Sequence, residues 1–218
     1  MISRVNFTNE LNSLRNSMSK MGEEIKILVD ITIQVLINDD FTNIKEVIAG
    51  EQNTDELEIH IQKQCALLIA KEQPLARDLR LIISIINIIT DMERIADQCE
   101  DICNYCLKLK DIKPTDNDIY KQHINKMATN VAKMLDNTLL AYKDKDVNIL
   151  KEVCEYDDKI DAKFAQIWTE IIDTMRQNTD FIIAGPHYIM IIKYLERIAD
   201  HITNIAEWMI YNITGEYI

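Results

Sequence analysis

The chain has 218 residues, a formal net charge of -12, and only 4 Gly and 3 Pro. So few turn residues exclude an all-β protein, whose many reversals need them. The acidic excess, with no basic run longer than two residues, excludes a nucleic-acid binder, which must present Lys and Arg in excess on some face.

Taken in order, the chain reads as six helices. In residues 7–37, Leu11, Leu14, Met18, Met21, Ile25, Leu28, Thr32 and Val35 recur at spacings of three and four. Asn38-Asp39-Asp40 breaks the pattern, and Asp40 is expected to cap the next helix. A second helix is predicted over residues 42–71, with Ile44, Val47, Leu57, Ile61, Cys65 and Leu68 in its stripe. The polar run from Gly50 to Asp55 reads as an interruption of it. Pro74 stands where the third helix, residues 75–110, should begin. Pro114 and Thr115 mark a boundary. The fourth helix is predicted over residues 116–142, the fifth over 147–178 and the sixth to about residue 214. Gly215 is placed to cap the last one.

The order is three helices, twice. Asp91-Met92-Glu93-Arg94-Ile95-Ala96-Asp97 returns 103 residues later as Tyr194-Leu195-Glu196-Arg197-Ile198-Ala199-Asp200, with five of seven positions identical. Ile44-Lys45-Glu46-Val47 likewise returns as Leu150-Lys151-Glu152-Val153. The expected architecture is all-α: two tandem three-helix bundles, residues 1–112 and 113–218, related by a pseudo-twofold.

That repeat doubles an acidic signal. Glu93/Asp97 and Glu196/Asp200 are acid pairs four apart, and the second alignment adds Glu51/Asp55 and Asp157/Asp161. Residues four apart share a helix face, and like charges there weaken the helix by about 0.2–0.5 kcal/mol per pair. At about 100° per residue, these acids border the apolar stripe and do not oppose it. A short link at Gln73-Pro74 makes the second and third helices an antiparallel hairpin, and the fifth and sixth should match it. Each hairpin then brings four carboxylates together. Such a patch repels unless a cation neutralises it. Oxygen ligands suit magnesium, manganese or iron, with zinc a further option. The competing reading is a solvated face with Arg94 and Arg197 as local counter-ions.

Cys99, Cys103 and Cys106 share one helix face and read as core thiols. Residues 1–11 show no apolar run after a basic start, so no signal peptide is expected. The apolar stretch from residue 81 to 89 is far short of the ~20 residues that span a bilayer. There is no nucleophile–base constellation and no Gly-rich phosphate loop, so no enzyme activity is expected.

At these motifs the sequence resembles the PhoU family. The carrying residues are Leu195-Glu196-Arg197-Ile198-Ala199-Asp200-His201-Ile202-Thr203-Asn204-Ile205-Ala206-Glu207 and Gln73-Pro74-Leu75-Ala76-Arg77-Asp78-Leu79-Arg80. The resemblance spans essentially the whole chain. It implies multinuclear metal clusters on Glu51/Asp55, Glu93/Asp97, Asp157/Asp161 and Glu196/Asp200. It also implies a cytoplasmic, homodimeric regulator of phosphate uptake. Such a protein serves the ATPase of a phosphate ABC transporter and restrains a PhoR-type sensor histidine kinase. Arg77 and Arg80 read first as ion-pair partners of a neighbouring helix, with partner binding as the alternative. His201 adjoins Asp200 but points about 100° away from it on the helix, which argues against a ligand role.

Three rival readings remain. A di-iron carboxylate enzyme needs Glu-x-x-His pairs, and none occurs. A PhoU-like accessory protein of a non-ABC phosphate permease shares the fold and differs in partner. A metal-free helical adaptor would leave the acid pairs solvated.

Overall fold

The computed structural model describes residues 2–112 and 119–216, with side chains for 7–112 and 120–216. Six long helices account for nearly all of them: α1 (Ile2–Asn38), α2 (Ile44–Glu72), α3 (Ala76–Leu109), α4 (Ile119–Asp144), α5 (Val147–Gln177) and α6 (Gly185–Thr214). Among the described residues there is no strand. The expected start of the fourth helix and the 112/113 division between repeats adjoin residues 113–118, which lie outside the described set.

The predicted stripes are the core. Leu11, Leu14, Met18, Met21, Ile25 and Leu28 on α1 are buried, and so are Ile82, Ile89, Met92, Ile95 and Ala96 on α3. Cys65, Cys99, Cys103 and Cys106 are buried free thiols. Burial pushes Cys99 up to about 12 and Cys103 up to about 11, which makes both inert as nucleophiles.

Helix α3 packs most extensively against α6. The two run antiparallel. Arg80 near the start of α3 lies over the Tyr211 ring near the end of α6, and Tyr105 near the end of α3 meets Tyr194 and His187 of α6. Helices α2 and α5 flank this pair, while α1 and α4 pack across it and touch each other.

Two local expectations need correction, and one short element is new. The polar run at Gly50 does not interrupt α2, which is continuous through it. A Cβ at Gly50 would lie 2.3 Å from Leu28 Cδ2, so the glycine admits α1 at close range. Asp40 does not cap α2. Its carboxylate accepts from the Thr42 backbone N–H at 3.0 Å and from the Thr42 hydroxyl at 2.6 Å, closing a turn one step earlier. Residues Thr179–Ile182 form a 3₁₀ turn before α6, seeded by Asn178, whose side chain accepts from Asp180 N–H.

Other ends follow their sequence signals. Asp146 caps α5, accepting from the N–H groups of Asn148 and Ile149 at 3.0 and 3.3 Å. Gly215, at φ 89°, ends α6 in the left-handed region and donates to Tyr211 O.

Candidate metal centre

Each acid pair sits on adjacent turns of one helix, and each hairpin turns two pairs toward each other. Ligand oxygens of Glu51, Asp55 and Asp97 lie within 4.8 Å of one another, and so do those of Asp161, Glu196 and Asp200. Glu93 and Asp157 complete the two groups at longer range. Burial pushes the Glu93 carboxyl up to about 7, helped by Asp97, Glu58 and Asp55. Burial pushes Asp157 up to about 6, helped by Asp200, Asp161 and Glu196. Thus all eight sequence-selected carboxylates gather, four at α2/α3 and four at α5/α6.

The electrostatics are unrelieved. Glu51, Asp97, Glu196 and Asp200 are also raised, each chiefly by burial, with neighbouring carboxylates adding to it. Arg94 stands 3.4 Å from Glu93 and 3.6 Å from Asp97, but its side chain is 55% exposed. An exposed pair contributes about 0–1 kcal/mol. Arg197 makes no ion pair within 4 Å among the described residues, although its charge partly offsets Glu196 and Asp200. The two arginines therefore do not neutralise the clusters, since burial and mutual repulsion still dominate.

Three oxygens bear on whether the residues fit a cation. Asp55 Oδ1 and Asp157 Oδ1 are buried without a hydrogen-bond partner, and the buried Glu93 Oε2 has only the long contact from Arg94. A buried polar atom is normally satisfied, and leaving one bare costs about 1–3 kcal/mol. An all-oxygen, converging, under-satisfied donor set fits a hard or borderline cation.

The structure also adds residues that the repeat did not flag. Glu58 lies one turn past Asp55 and accepts from Thr90 Oγ1 at 2.7 Å. Glu100, one turn past Asp97, adds to the charge felt by Glu51 and Asp97. By the repeat offsets, their counterparts are Phe164 and Thr203. The first cluster is thus more acidic than the second. Spacing of three from a motif acid was the signal available for both.

His201 is not a member of either group. Its Nδ1 lies 2.8 Å from Asp91 Oδ1 across the α3/α6 seam, and Asn204 donates to the same oxygen at 3.3 Å. Nor do Arg77 and Arg80 make the expected ion pairs among the described residues. Arg77 is exposed, and Arg80 reaches the Tyr211 ring and the Gly215 turn.

Fold and site together define a class of all-helical protein: two helical hairpins, each presenting facing carboxylate pairs in register. The PhoU domain matches this chain twice, over residues 18–106 and 124–209. A phosphate-specific transport system accessory protein PhoU homolog of Clostridium acetobutylicum is 30% identical over 213 residues, covering 97% of this chain and 96% of that one. The PhoU protein of Escherichia coli K12 is 27% identical, covering 96% and 86%. The crystal structure of PhoU from Pseudomonas aeruginosa superposes with a TM-score of 0.89 at 29% identity, covering 96% of this chain and all of that one. The phosphate transport system regulatory protein PhoU from Streptococcus pneumoniae gives 0.87 at 28%, covering 97% and 99%. The chain belongs to the PhoU family, which comprises accessory and regulatory proteins and not enzymes.

Proposed function

We propose that this protein is a metal-binding accessory of phosphate transport that restrains phosphate-starvation signalling. The carrying observation is the pair of under-satisfied carboxylate clusters in a PhoU-family fold. In this reading Glu51, Asp55, Glu93 and Asp97 hold cations at one hairpin, and Asp157, Asp161, Glu196 and Asp200 at the other. The bound metal supplies positive charge that offsets the repulsion. Iron, zinc, manganese and magnesium are all compatible with oxygen ligands. Residues 1–112 and 113–218 act as two repeats, each with its own cluster.

The relatives' names supply the transport role, and their phosphate-specific transport system is the setting proposed for this chain. No helix among the described residues is long and apolar enough to cross a membrane. The proposed protein works from the cytoplasm as a homodimer, docking on the transporter ATPase and on a PhoR-type sensor kinase. An acidic surface suits basic patches on such partners.

Two measurements test this. Metal analysis of protein purified without chelator should find bound cations, lost when the eight carboxylates become amides. Deleting the gene should derepress phosphate-starvation genes in phosphate-rich medium. Unchanged expression, with co-purification only with a non-ABC permease, would move the assignment to that transporter.

A further inference from the structure

We propose that the cavity where α1, α3, α4 and α6 meet, away from both acid clusters, binds a small amphipathic anion whose acid group sits between Lys110 and Lys121. The cavity encloses about 270 Å³. Its lining is mixed: Leu36, Ile37 and Ile124 give it an apolar part, Lys110, Lys121, Asp39 and Asn125 a polar one, and the buried Tyr188 lines it too. Behind it Tyr120, Phe181 and Tyr188 pack as a triad with ring centroids 5.0, 5.1 and 5.9 Å apart. A hollow that offers apolar surface together with a few polar groups is the usual form of a small-molecule site.

Charge selects the ligand. Acidic residues outnumber basic ones by 36 to 24 in this chain, so an unpaired cation has many acids to choose from. Lys26 and Lys71 take that option, pairing with Asp136 and Glu10. Lys110 and Lys121 line the cavity, and neither makes an ion pair among the described residues. Lys110 instead holds its ammonium 5.2 Å over the Phe41 ring, which orients the head while leaving its hydrogen-bond donors free. Asn125 adds a neutral amide to the lining. Among the described residues Asp39 is the one carboxylate in the lining, so the charges of the lining sum to a single positive one. This favours a monoanion with an apolar body over inorganic phosphate, which would leave the apolar part of the lining uncovered. A carboxylate and a phosphate monoester offer the same headgroup chemistry.

The test titrates the full chain with octanoate, octyl phosphate, octanol, octyltrimethylammonium and inorganic phosphate. Binding is read from the methyl resonances of Ile37 and Ile124 and from thermal stability. Octanoate or octyl phosphate should shift these methyls saturably, and the difference between the two identifies the preferred headgroup. Octanol and the ammonium should bind weaker by about tenfold or more, which is about 1.4 kcal/mol or more. Lys110→Gln with Lys121→Gln, both polar rim changes, should remove that preference. Ile37→Phe should fill the hollow and abolish binding. Equal affinity for octanol and octanoate, an unaltered preference in the double glutamine variant, or matching methyl shifts from inorganic phosphate alone would overturn the proposal. So would silence from every ligand.

Discussion

His201 Nδ1 lies 2.8 Å from Asp91 Oδ1, and this bond joins the two helices that carry the Glu93/Asp97 and Glu196/Asp200 pairs. Both side chains are mostly buried, at 18% and 15% exposure. The pseudo-twofold is broken here. By the 103-residue offset, the matching crossing is Gln98 with Tyr194, where Gln98 Oε1 is buried and unpartnered. Tyr194 instead hydrogen-bonds Asp101 of α3, so the two crossings are tied by different partners. Asp91→Ala should strand His201 and the Asn204 amide, at about 1–3 kcal/mol. At about 2–4 °C per kcal/mol for a chain this long, thermal denaturation should show a clear drop. Asp91→Asn retains a carbonyl acceptor and should lose less. An Asp91→Ala variant as stable as the parent would mean that the tie is idle.

Gly50 gives a second stability test. Alanine should gain about 1 kcal/mol of helix propensity within α2. Yet its Cβ would fall 2.3, 3.2 and 3.3 Å from three atoms of Leu28, which is buried and cannot simply swing into solvent. Overpacking of this kind costs about 1–3 kcal/mol. The steric effect should win, and Gly50→Ala should lower stability in a denaturant titration by up to about 2 kcal/mol. Adding Leu28→Val should recover part of that loss in a double-mutant cycle.

The contrast between these two sites shows what sequence could reveal. The helices were legible because Leu11, Leu14, Met18, Met21 and Ile25 repeat at the helical period and are all buried. The acid pairs were legible for the same reason, since spacing of four is local. Gly50 read as a break because its purpose, the approach of Leu28, lies on another helix. Asp40 read as a cap because composition does not reveal which N–H its carboxylate will take. Glu58 with Thr90 is 32 residues apart, and Asp91 with His201 is 110 apart. Such pairs depend on the register between packed helices, which no local pattern carries.

The acid clusters should make metal-free protein less stable as pH rises. Glu93 moves from an ordinary 4.5 to about 7 in the fold, and Asp157 from 3.8 to about 6. Both are raised, so between those limits the folded state binds more protons than the unfolded state. The slope of stability on pH from these groups is therefore negative. Their contribution is full below about pH 4 and disappears as pH climbs through the folded values. Thermal melts of chelated protein should show this as a loss between about pH 4 and pH 7. The difference between parent and the Glu93→Gln, Asp157→Asn variant isolates it from other titrations. That variant should flatten the profile and raise stability at neutral pH. A profile unchanged by the two substitutions would contradict the buried, repelling clusters.

Metal should invert that slope. A cation needs the carboxylates ionised, so its binding releases the protons that Glu93 and Asp157 hold, and affinity should rise from about pH 5.5 to 7.5. Saturating cation should stabilise the fold by about 2.7 kcal/mol at a hundredfold excess over its dissociation constant. The two hairpins should differ. Cation titrations of Glu58→Gln with Glu100→Gln should weaken the α2/α3 site alone, because their counterparts Phe164 and Thr203 already lack charge at α5/α6. Glu196→Gln with Asp200→Asn should instead abolish the α5/α6 site and leave the other intact. Metal content counted in each variant separates the two, and equal losses at both hairpins from either double substitution would show that the clusters bind as one unit.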